Sequence, residues 1–522
     1  MRALVGSVAT IAITAAVSTV AAPTGAVSQS PACEQYGGVI HTNAVARQTL
    51  DPAISVHPYY QMNWLYDPII RLTQDLEYLP WLVEAMPEET ADNVFAFQLR
   101  PGITFHDGTP LNAEAVKFAI DRIADGDVVS SYSGQWSTYL EEVAVTGDLS
   151  FEIHLSQDWP QFLWALATST HVPSPTAVEE YGEAFGVEAA VGSGPFVLDV
   201  FRPRERLELS RNDNYFMEGI PCLDGVVSTH VTSGSVRSLS IQSDEMQVLN
   251  TFPEAQVPEL VAFPDVTVAE GENSTLTTLL VDTTDPVLSD VRIRQAIQSG
   301  IDGQQIIDAV YNQTGGLVSG IFPAWHPGYL PMEDLSAIRP DLERAQALLR
   351  EAGYGPDNPL TLNLVTAPGQ AHADRGVLIQ AQLAPLGIDI EVESIPNAAY
   401  LQRRNSRDFD LLLYQYDGSP SLSDYTWSLF GAGSNGNLTG YNQDGGVQNE
   451  RAEELAVAIA AAEDPASVAA EIAEFQQVIM QDLPMIFVNY RNHRTAWRDE
   501  VMNFSTALLK GREDWYEVWL SE

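Results

Sequence analysis

This 522-residue chain is short of positive charge. It has 26 Lys and Arg against 70 Asp and Glu, a formal net charge of −44. Such a surface repels phosphate backbones and anionic bilayers, which excludes nucleic acid and acidic membrane as general partners. The acid excess reads as a solvated surface, suited to a saline habitat, or as an attraction for cationic ligands. Cysteine is nearly missing, with only Cys33 and Cys222. No CxxC, HExxH, P-loop or strand-borne GxGxxG occurs, so metal-protease, nucleotide and redox motifs are absent. The nearest approach to a nucleophile elbow, AGSNG at 432–436, sits in a Gly/Asn-rich loop without the strand and helix an elbow requires. The nine His, among them His41, His171, His372 and His493, show no ligand spacing, and neither metal nor cofactor is expected. The 70 carboxylates neither single out nor exclude a glycosidase-like acid pair. Beyond the N-terminus no stretch approaches 18 uninterrupted apolar residues, and no fixed-period repeat is visible.

What is present is a long, 45% hydrophobic chain that needs two or three cores. Its first segment, MRALVGSVATIAITAAVSTVAAPTGA, carries Arg2, then an apolar run to about Ala22 and small residues. This reads as an export signal, residues 1–26, cleaved near Ala26–Val27. The SPAC around Cys33 lacks the apolar residue of a lipidation site, so no lipid anchor is expected. In an exported chain two cysteines suggest a disulfide, the alternative being two unrelated buried thiols.

Helical and strand-like periodicities alternate. DLERAQALLREAGY (341–354) has helical spacing and stops at Gly353. TLNLVT (361–366) and GIDIEVESI (387–395) alternate as strands, with a helix expected over 373–386 between them. Residues 291–311 read as two helices meeting near Gly300. Together these imply an α/β unit. FAFQL (95–99) reads as a strand, ITF (103–105) as a short one, and DWYEVWL (514–520) as a packed closing element. His106-Asp107-Gly108 reads as a tight turn, in which Asp bonds local backbone and Gly supplies positive φ. Asn112 is the expected cap of the helix behind it, with Ala115, Val116, Ala119 and Ile120 on its apolar face. Adjacent His and Asp diverge on an extended chain and make a poor bidentate metal site.

Four ordered segments carry a resemblance. FAFQLRPGITFHDGTPLNAEAVKFAIDRI (95–123) resembles the pattern LRPGVKFHDGTPLTAEDV. VGSGPFVLDVFRPRERLELSRNDNYF (191–216) is similar to a GTGPY segment and its asparagine-tyrosine turn. Residues 280–307 resemble a proline, aspartate, double-arginine and alanine helix, and 381–430 match a fourth block. The chain is thereby identified as a member of the extracellular solute-binding family 5, the dipeptide-, oligopeptide-, nickel- and oligosaccharide-binding components of ABC importers.

The resemblance implies an α/β, two-lobed periplasmic-binding-protein fold, type II and cluster C-like, with an extra subdomain in the first lobe. By analogy the first lobe covers 34–58, 193–271 and 487–522, the extra subdomain 59–192 and the second lobe 272–486. It also implies that the strands in GGVIHTNAV and LDGVVSTHV share a lobe, so Cys33 and Cys222, just ahead of each, are expected to pair. The function implied is capture of a peptide or similarly sized polar solute between hinged lobes, in the periplasm. A monomer would then present it to membrane permease subunits, with no chemistry on the ligand. An oligosaccharide binder and an exported hydrolase remain the alternatives. A nickel-chelate binder lacks a His cluster to support it.

For the site, peptide binders of the family pair the ligand amine with an aspartate in a W-x-G-D pattern. Without gaps, Tyr416 falls on the tryptophan and Ser419 on that aspartate. Asp417 lies two residues earlier, and Asp424 is a second candidate carboxylate. Tyr414, Tyr416, Tyr425, Trp427, Trp136 and Tyr60 offer aromatic faces for a neutral solute, or else pack in a core. His372, Arg375 and Arg404 are candidates for a ligand carboxylate, or else surface charges.

Overall fold

The computed structural model describes residues 33–43, 47–54, 60–73, 76–126, 128, 133–462, 464–505 and 514–521, with Tyr60, 272–274 and Gln370 described by backbone alone. The expected export signal lies outside the described residues.

A ten-stranded mixed sheet is the spine. In spatial order it comprises Ile388–Ser394, Leu360–Thr366, Leu411–Tyr416, Val266–Val281, Met485–Arg498, Val248–Leu249, Val39–Asn43, Gly225–Thr229, Arg206–Arg211 and Phe196–Arg202. At one end Leu360–Thr366 pairs in parallel with both Ile388–Ser394 and Leu411–Tyr416. The helices Gln370–Leu383 and Asn397–Ser406 make the crossovers, as parallel pairing requires. At the other end Val39–Asn43 and Gly225–Thr229 pair in parallel, residue for residue.

Two long strands join the ends. Val266–Val281 and Met485–Arg498 run antiparallel, from Val266 opposite Arg498 to Leu280 opposite Met485. Val266 and Val268 pack with Ile241, Leu249 and Ala496. Leu276 and Leu280 pack with Phe475 and Phe487, and Leu279 with Ile297 and Ile486, on opposite faces of the sheet. The ladder is irregular between Gly271 and Thr275, so each strand changes core at a local kink.

The remaining layer holds a four-stranded antiparallel sheet, Glu88–Ala91, Val94–Gln98, Ser150–Leu155 and Leu140–Val145. Its core runs from Ile69 to Val172, with Ala53 added, and is closed by the helix Ala113–Ala124. Met62, Trp64, Leu65, Tyr66, Ala177, Phe185 and Ala190 flank that layer in sequence. They pack instead with Ile40, Val226 and Trp515.

The alternating and helical segments fold as their periodicity dictates. Asp341 caps Leu342–Glu351 by accepting from the Arg344 amide, and Gly353 ends the run at φ 90°. Residues 291–311 form Val291–Gly300 and Gly303–Val310. ITF is not a strand: only Thr104 bridges, to Pro110, because the chain turns back at once. The turn itself is as expected. Thr109 donates its amide to Asp107 Oδ1 at 2.9 Å, Gly108 has φ 82°, and Asn112 accepts from the Ala115 amide at 3.1 Å. His106 Nε2 lies 3.0 Å from the Gly194 carbonyl, and Ser174 donates to Asp107 Oδ2 at 2.6 Å. His106 therefore pins the turn to the Gly192–Gly194 loop, and Asp107 pins it to Ser174. A Cβ on Gly194 would come within 2.5 Å of the Leu65 carbonyl carbon, so only glycine lets that loop lie against Leu65.

Cys33 and Cys222 form a disulfide with Cα atoms 5.6 Å apart, at the heads of two adjacent parallel strands. Trp519 packs against it. Trp519–Leu520 pairs with Val501–Met502, and Trp515 and Tyr516 are buried, so the C-terminal segment closes the fold.

Candidate functional site

In open parallel sheets, ligands lie beyond the carboxyl ends of the strands. Here the relevant ends are those of Leu360–Thr366 and Leu411–Tyr416, beside the two long strands. Alternation along Leu411–Tyr416 sorts its side chains. Leu412, Tyr414 and Tyr416 turn to one face, while Leu411 and Leu413 turn to the other. Gln415 and Asp417 continue that second face.

The first face is aromatic and mostly enclosed. Tyr416 donates its hydroxyl to the Asp424 carbonyl at 3.0 Å and meets Tyr425 edge-on at 5.3 Å. Tyr425 is fully buried against Phe322 and His326. Burial raises the pKa of both phenols well above 10, so both stay protonated. Tyr414 is half-buried, with the Arg404 guanidinium 5.8 Å from its ring centre. Arg404 is otherwise engaged with Asn405 at 2.9 and 3.0 Å. These tyrosines are core-linked rather than open platforms.

The second face is polar. Gln415, Thr277 and Asn489 form one cross-strand row. The next row sets Thr275 opposite Arg491, and Thr275 donates its hydroxyl to Asp417. Gln415 Nε2 and Asn489 Oδ1 are buried and have no hydrogen-bond partner. Asp417 itself is exposed.

Past Asp417 the chain lies flat on Tyr425: a Cβ on Gly418 would come within 2.4 Å of that ring. Ser419 is buried and accepts the Ser421 amide at 3.1 Å. Its own amide donates to Asp424 Oδ2 at 2.9 Å. Asp424 Oδ1 accepts from Gln161, which belongs to the other layer. Burial raises the Asp424 pKa, and the Ser419 and Gln161 hydrogen bonds work against the rise. Trp427 is half-buried against Gly431.

On the Gln370–Leu383 helix, Arg375 is buried with its Nη2 3.0 Å from His372 Nδ1 and its guanidinium 5.5 Å from the Tyr311 ring centre. Burial, then the charges of Arg375 and Arg491, lower the His372 pKa to about 4, so its ring is neutral at pH 7. Arg491 reaches Glu254 at 3.7 Å.

Tyr414, Tyr416, Asp417, Ser419, Asp424, Tyr425 and Trp427 are thus gathered on one strand end and its loop, with His372 and Arg375 on the helix after the neighbouring strand. Trp136 is placed elsewhere. It is fully buried, donates to Ser169 at 3.0 Å and meets Trp159 edge-on, so it is a core residue of the four-stranded layer. The Tyr60 side chain lies outside the described residues. Sequence reasoning did not reach Thr275, Gln415, Asn489, Arg491 or Gln161. Only cross-strand register brings the first four together, and no local pattern announces it. Among the described residues no group of three His, Cys, Asp or Glu is placed to hold a metal ion. The chemistry on offer is hydrogen bonding and charge.

A sequence model described as bacterial extracellular solute-binding proteins, family 5 Middle, matches residues 77–437. The glutathione-binding protein GsiB of Salmonella typhi is 24% identical over 433 residues, 81% of this chain and 82% of that protein. Among solved structures, the oligopeptide-binding protein AppA from Bacillus subtilis, in complex with a nonapeptide, superposes with TM-score 0.79 at 20% identity. That match covers 94% of this chain and all of that one. The periplasmic binding protein DppA from Helicobacter pylori, in complex with the peptide STSA, gives 0.80 at 21% identity, covering 94% and 99%.

Proposed function

The chain belongs to the bacterial extracellular solute-binding proteins of family 5, and from that premise we propose that it captures short peptides for an ABC importer. As a solute-binding component it holds its ligand between hinged lobes. We assign the first lobe to 34–58, 193–271 and 487–522, the extra subdomain to 59–192 and the second lobe to 272–486. The hinge is the kink at Gly271–Thr275 together with the facing part of Met485–Arg498. Ligand contacts made only with the lobes together favour the closed state by their differential affinity. Membrane permease subunits then receive the closed form, and the ligand leaves unchanged, so no catalytic step is needed. Export to the periplasm, as a free monomer, is the setting this requires.

The observation that carries the peptide reading is Asp417. It is an exposed carboxylate beside the hinge, held by Thr275 and free of ion pairs among the described residues. It is suited to a ligand amine. The burial of Tyr425 and the core packing of Tyr416 argue against a sugar platform.

A thermal-shift and calorimetric panel tests this, comparing di- to pentapeptides with their N-acetyl forms and with neutral oligosaccharides. A ligand at 100 times its Kd adds about 2.7 kcal/mol, a visible shift. Peptides are expected to bind, N-acetylation and Asp417→Ala each weakening them at least tenfold. A response to sugars alone would overturn the peptide assignment.

A further inference from the structure

We infer that the cavity between Ile338–Pro340 and Phe487–Val488, at the outer edge of the two long strands, is a binding site for a small monocarboxylate with a compact apolar body, held at its acid end by Arg339. The site is separate from the solute cleft, and the inference does not depend on the peptide reading above. The chain would then carry a second ligand besides the captured solute.

The cavity measures about 220 Å³ and is walled by Ile301, Leu317, Val318, Ile338, Phe487 and Val488. From Met485 to Asn489 the strand Met485–Arg498 has Val266–Val281 as its one strand neighbour among the described residues, because Val248–Leu249 meets it only at Ala496 and Trp497. That edge is not left polar. Gln298 accepts the Phe487 amide at 2.8 Å and donates to the Phe487 carbonyl at 2.9 Å. The Gly303–Val310 helix starts so close that a Cβ on Gly303 would come within 2.2 Å of the Val488 carbonyl oxygen. With those backbone groups taken or covered, the walls present mostly carbon.

Arg339 is the exception in this lining. It is half-buried and has no hydrogen-bond or ion-pair partner among the described residues, and burial lowers its pKa with no carboxylate to oppose the fall. The Asp341 amide donates to the Ser299 carbonyl at 2.8 Å, which holds Arg339 and Pro340 against the end of the Val291–Gly300 helix. Asp302, the other charged residue of the lining, caps the Gly303–Val310 helix instead. Its Oδ1 accepts the Gln304 and Gln305 amides at 2.9 and 3.2 Å. A half-buried cation beside apolar walls gains most from an anion whose remainder is apolar. Size sets that remainder. An apolar cavity of roughly 150 Å³ takes up benzene, so the larger space here suits benzoate or a short branched acid such as isovalerate. In the sheet, Val266–Val281 stands between this edge and Leu411–Tyr416, the strand that leads to Asp417. The cavity is therefore not an extension of the Asp417 site.

The test uses the purified full chain, with benzoate and isovalerate as probes and benzyl alcohol and isoamyl alcohol as their uncharged partners. Each is titrated by saturation-transfer NMR against the parent, Arg339→Gln and Leu317→Trp. The acids should bind the parent about tenfold tighter than the alcohols, the worth of one hydrogen bond to a charge. Arg339→Gln should bring that ratio close to one. Because the ratio is taken within each variant, a general loss of stability does not mimic the effect. Leu317→Trp, which fills the space, should remove acids and alcohols alike, with an unchanged melting temperature showing that it folds. Absence of acid binding by the parent would overturn the site, as would an acid preference that survives in Arg339→Gln. Acid binding undiminished in Leu317→Trp would place the probe elsewhere on the chain and overturn it too.

Discussion

Gln161 donates its side-chain amide to the carboxylate of Asp424, 263 residues away. Gln161 is steadied by Gln135 at 3.2 Å, and the second Asp424 oxygen holds the Ser419 amide at 2.9 Å. The loop beyond Leu411–Tyr416 is thereby tied to the four-stranded layer. On the lobe assignment proposed above, the tie exists only when the lobes are together.

Removing it should shift the unliganded chain toward the open form. A hydrogen bond to a charged group contributes roughly 1.5–3 kcal/mol, so Gln161→Ala is expected to weaken solute binding by about tenfold. Small-angle scattering should show a larger radius of gyration without ligand and recovery at saturation. Unchanged affinity and radius would mean that the contact follows closure rather than favouring it.

The Cys33–Cys222 disulfide spans 189 residues of sequence and staples the start of the described chain to the sheet. Its removal should cost about 2–4 kcal/mol, the usual range, against the roughly 5 kcal/mol that loop-closure entropy alone would set for so long a loop. Cys33→Ser should lower the melting temperature, and dithiothreitol should do the same to the parent but not to the variant. Because the bond lies at the strand heads, away from Asp417 and His372, solute affinity should be retained. A loss of affinity at a temperature where the variant is folded would contradict that separation.

Asp67 gives the clearest pH dependence. It is fully buried, accepting from Trp81 Nε1 at 2.9 Å, the Tyr215 hydroxyl at 2.8 Å and the Ser193 hydroxyl at 2.8 Å. Desolvation raises its pKa to about 6 in spite of those bonds and the nearby Arg71. An unfolded aspartate titrates near ~3.9. Between these values the folded chain holds a proton that the unfolded chain has released. Stability therefore falls as pH rises through the window, by about 3 kcal/mol in all. Asp67→Asn should abolish that component. Urea unfolding at pH 4, 5.5 and 7 should show the parent losing stability relative to the variant, and parallel curves would sink the assignment.

Local signals carried a good part of this architecture. The His106-Asp107-Gly108 turn, the Asn112 cap and the strands about 361–366 and 387–395 depend on neighbours within a few residues, so composition and period reveal them. The long strand Val266–Val281 escaped, because its pattern breaks at the kink where it passes from one core to another. ITF misled, because Ile103 and Phe105, just before a tight turn, serve the core without forming a strand. The resemblance supplied candidates around Tyr416 and His372. It did not show that Tyr425 is enclosed, that Trp136 belongs to another core, or that Arg491 stands across from Thr275. Those facts are set by packing and register between segments well separated along the chain, more than 200 residues apart for Thr275 and Arg491, which no short window contains.

Arg294, within the double-arginine segment, shows how such long-range partners fix stability. Fully buried, it donates Nε and Nη2 to the Asp482 carbonyl at 2.8 and 2.6 Å, and Nη1 to Leu288 and Ser289 at 2.7 and 2.9 Å. It therefore closes the C-terminus of the Ala469–Asp482 helix and the turn leading into its own. A cation at a helix C-terminus is favourable, and here it also satisfies buried and part-buried carbonyls. Arg294→Met keeps much of the volume but leaves those carbonyls unpaired, so a loss of about 3–5 kcal/mol in urea unfolding is expected. Arg294→Lys should recover little, since one ammonium cannot span two turns as a planar fork does. Arg292, two residues earlier, is paired with Asp290 at the surface, and Arg292→Ala should change stability only slightly. Equal effects at the two positions would show that burial and carbonyl capping are not what distinguishes the second arginine.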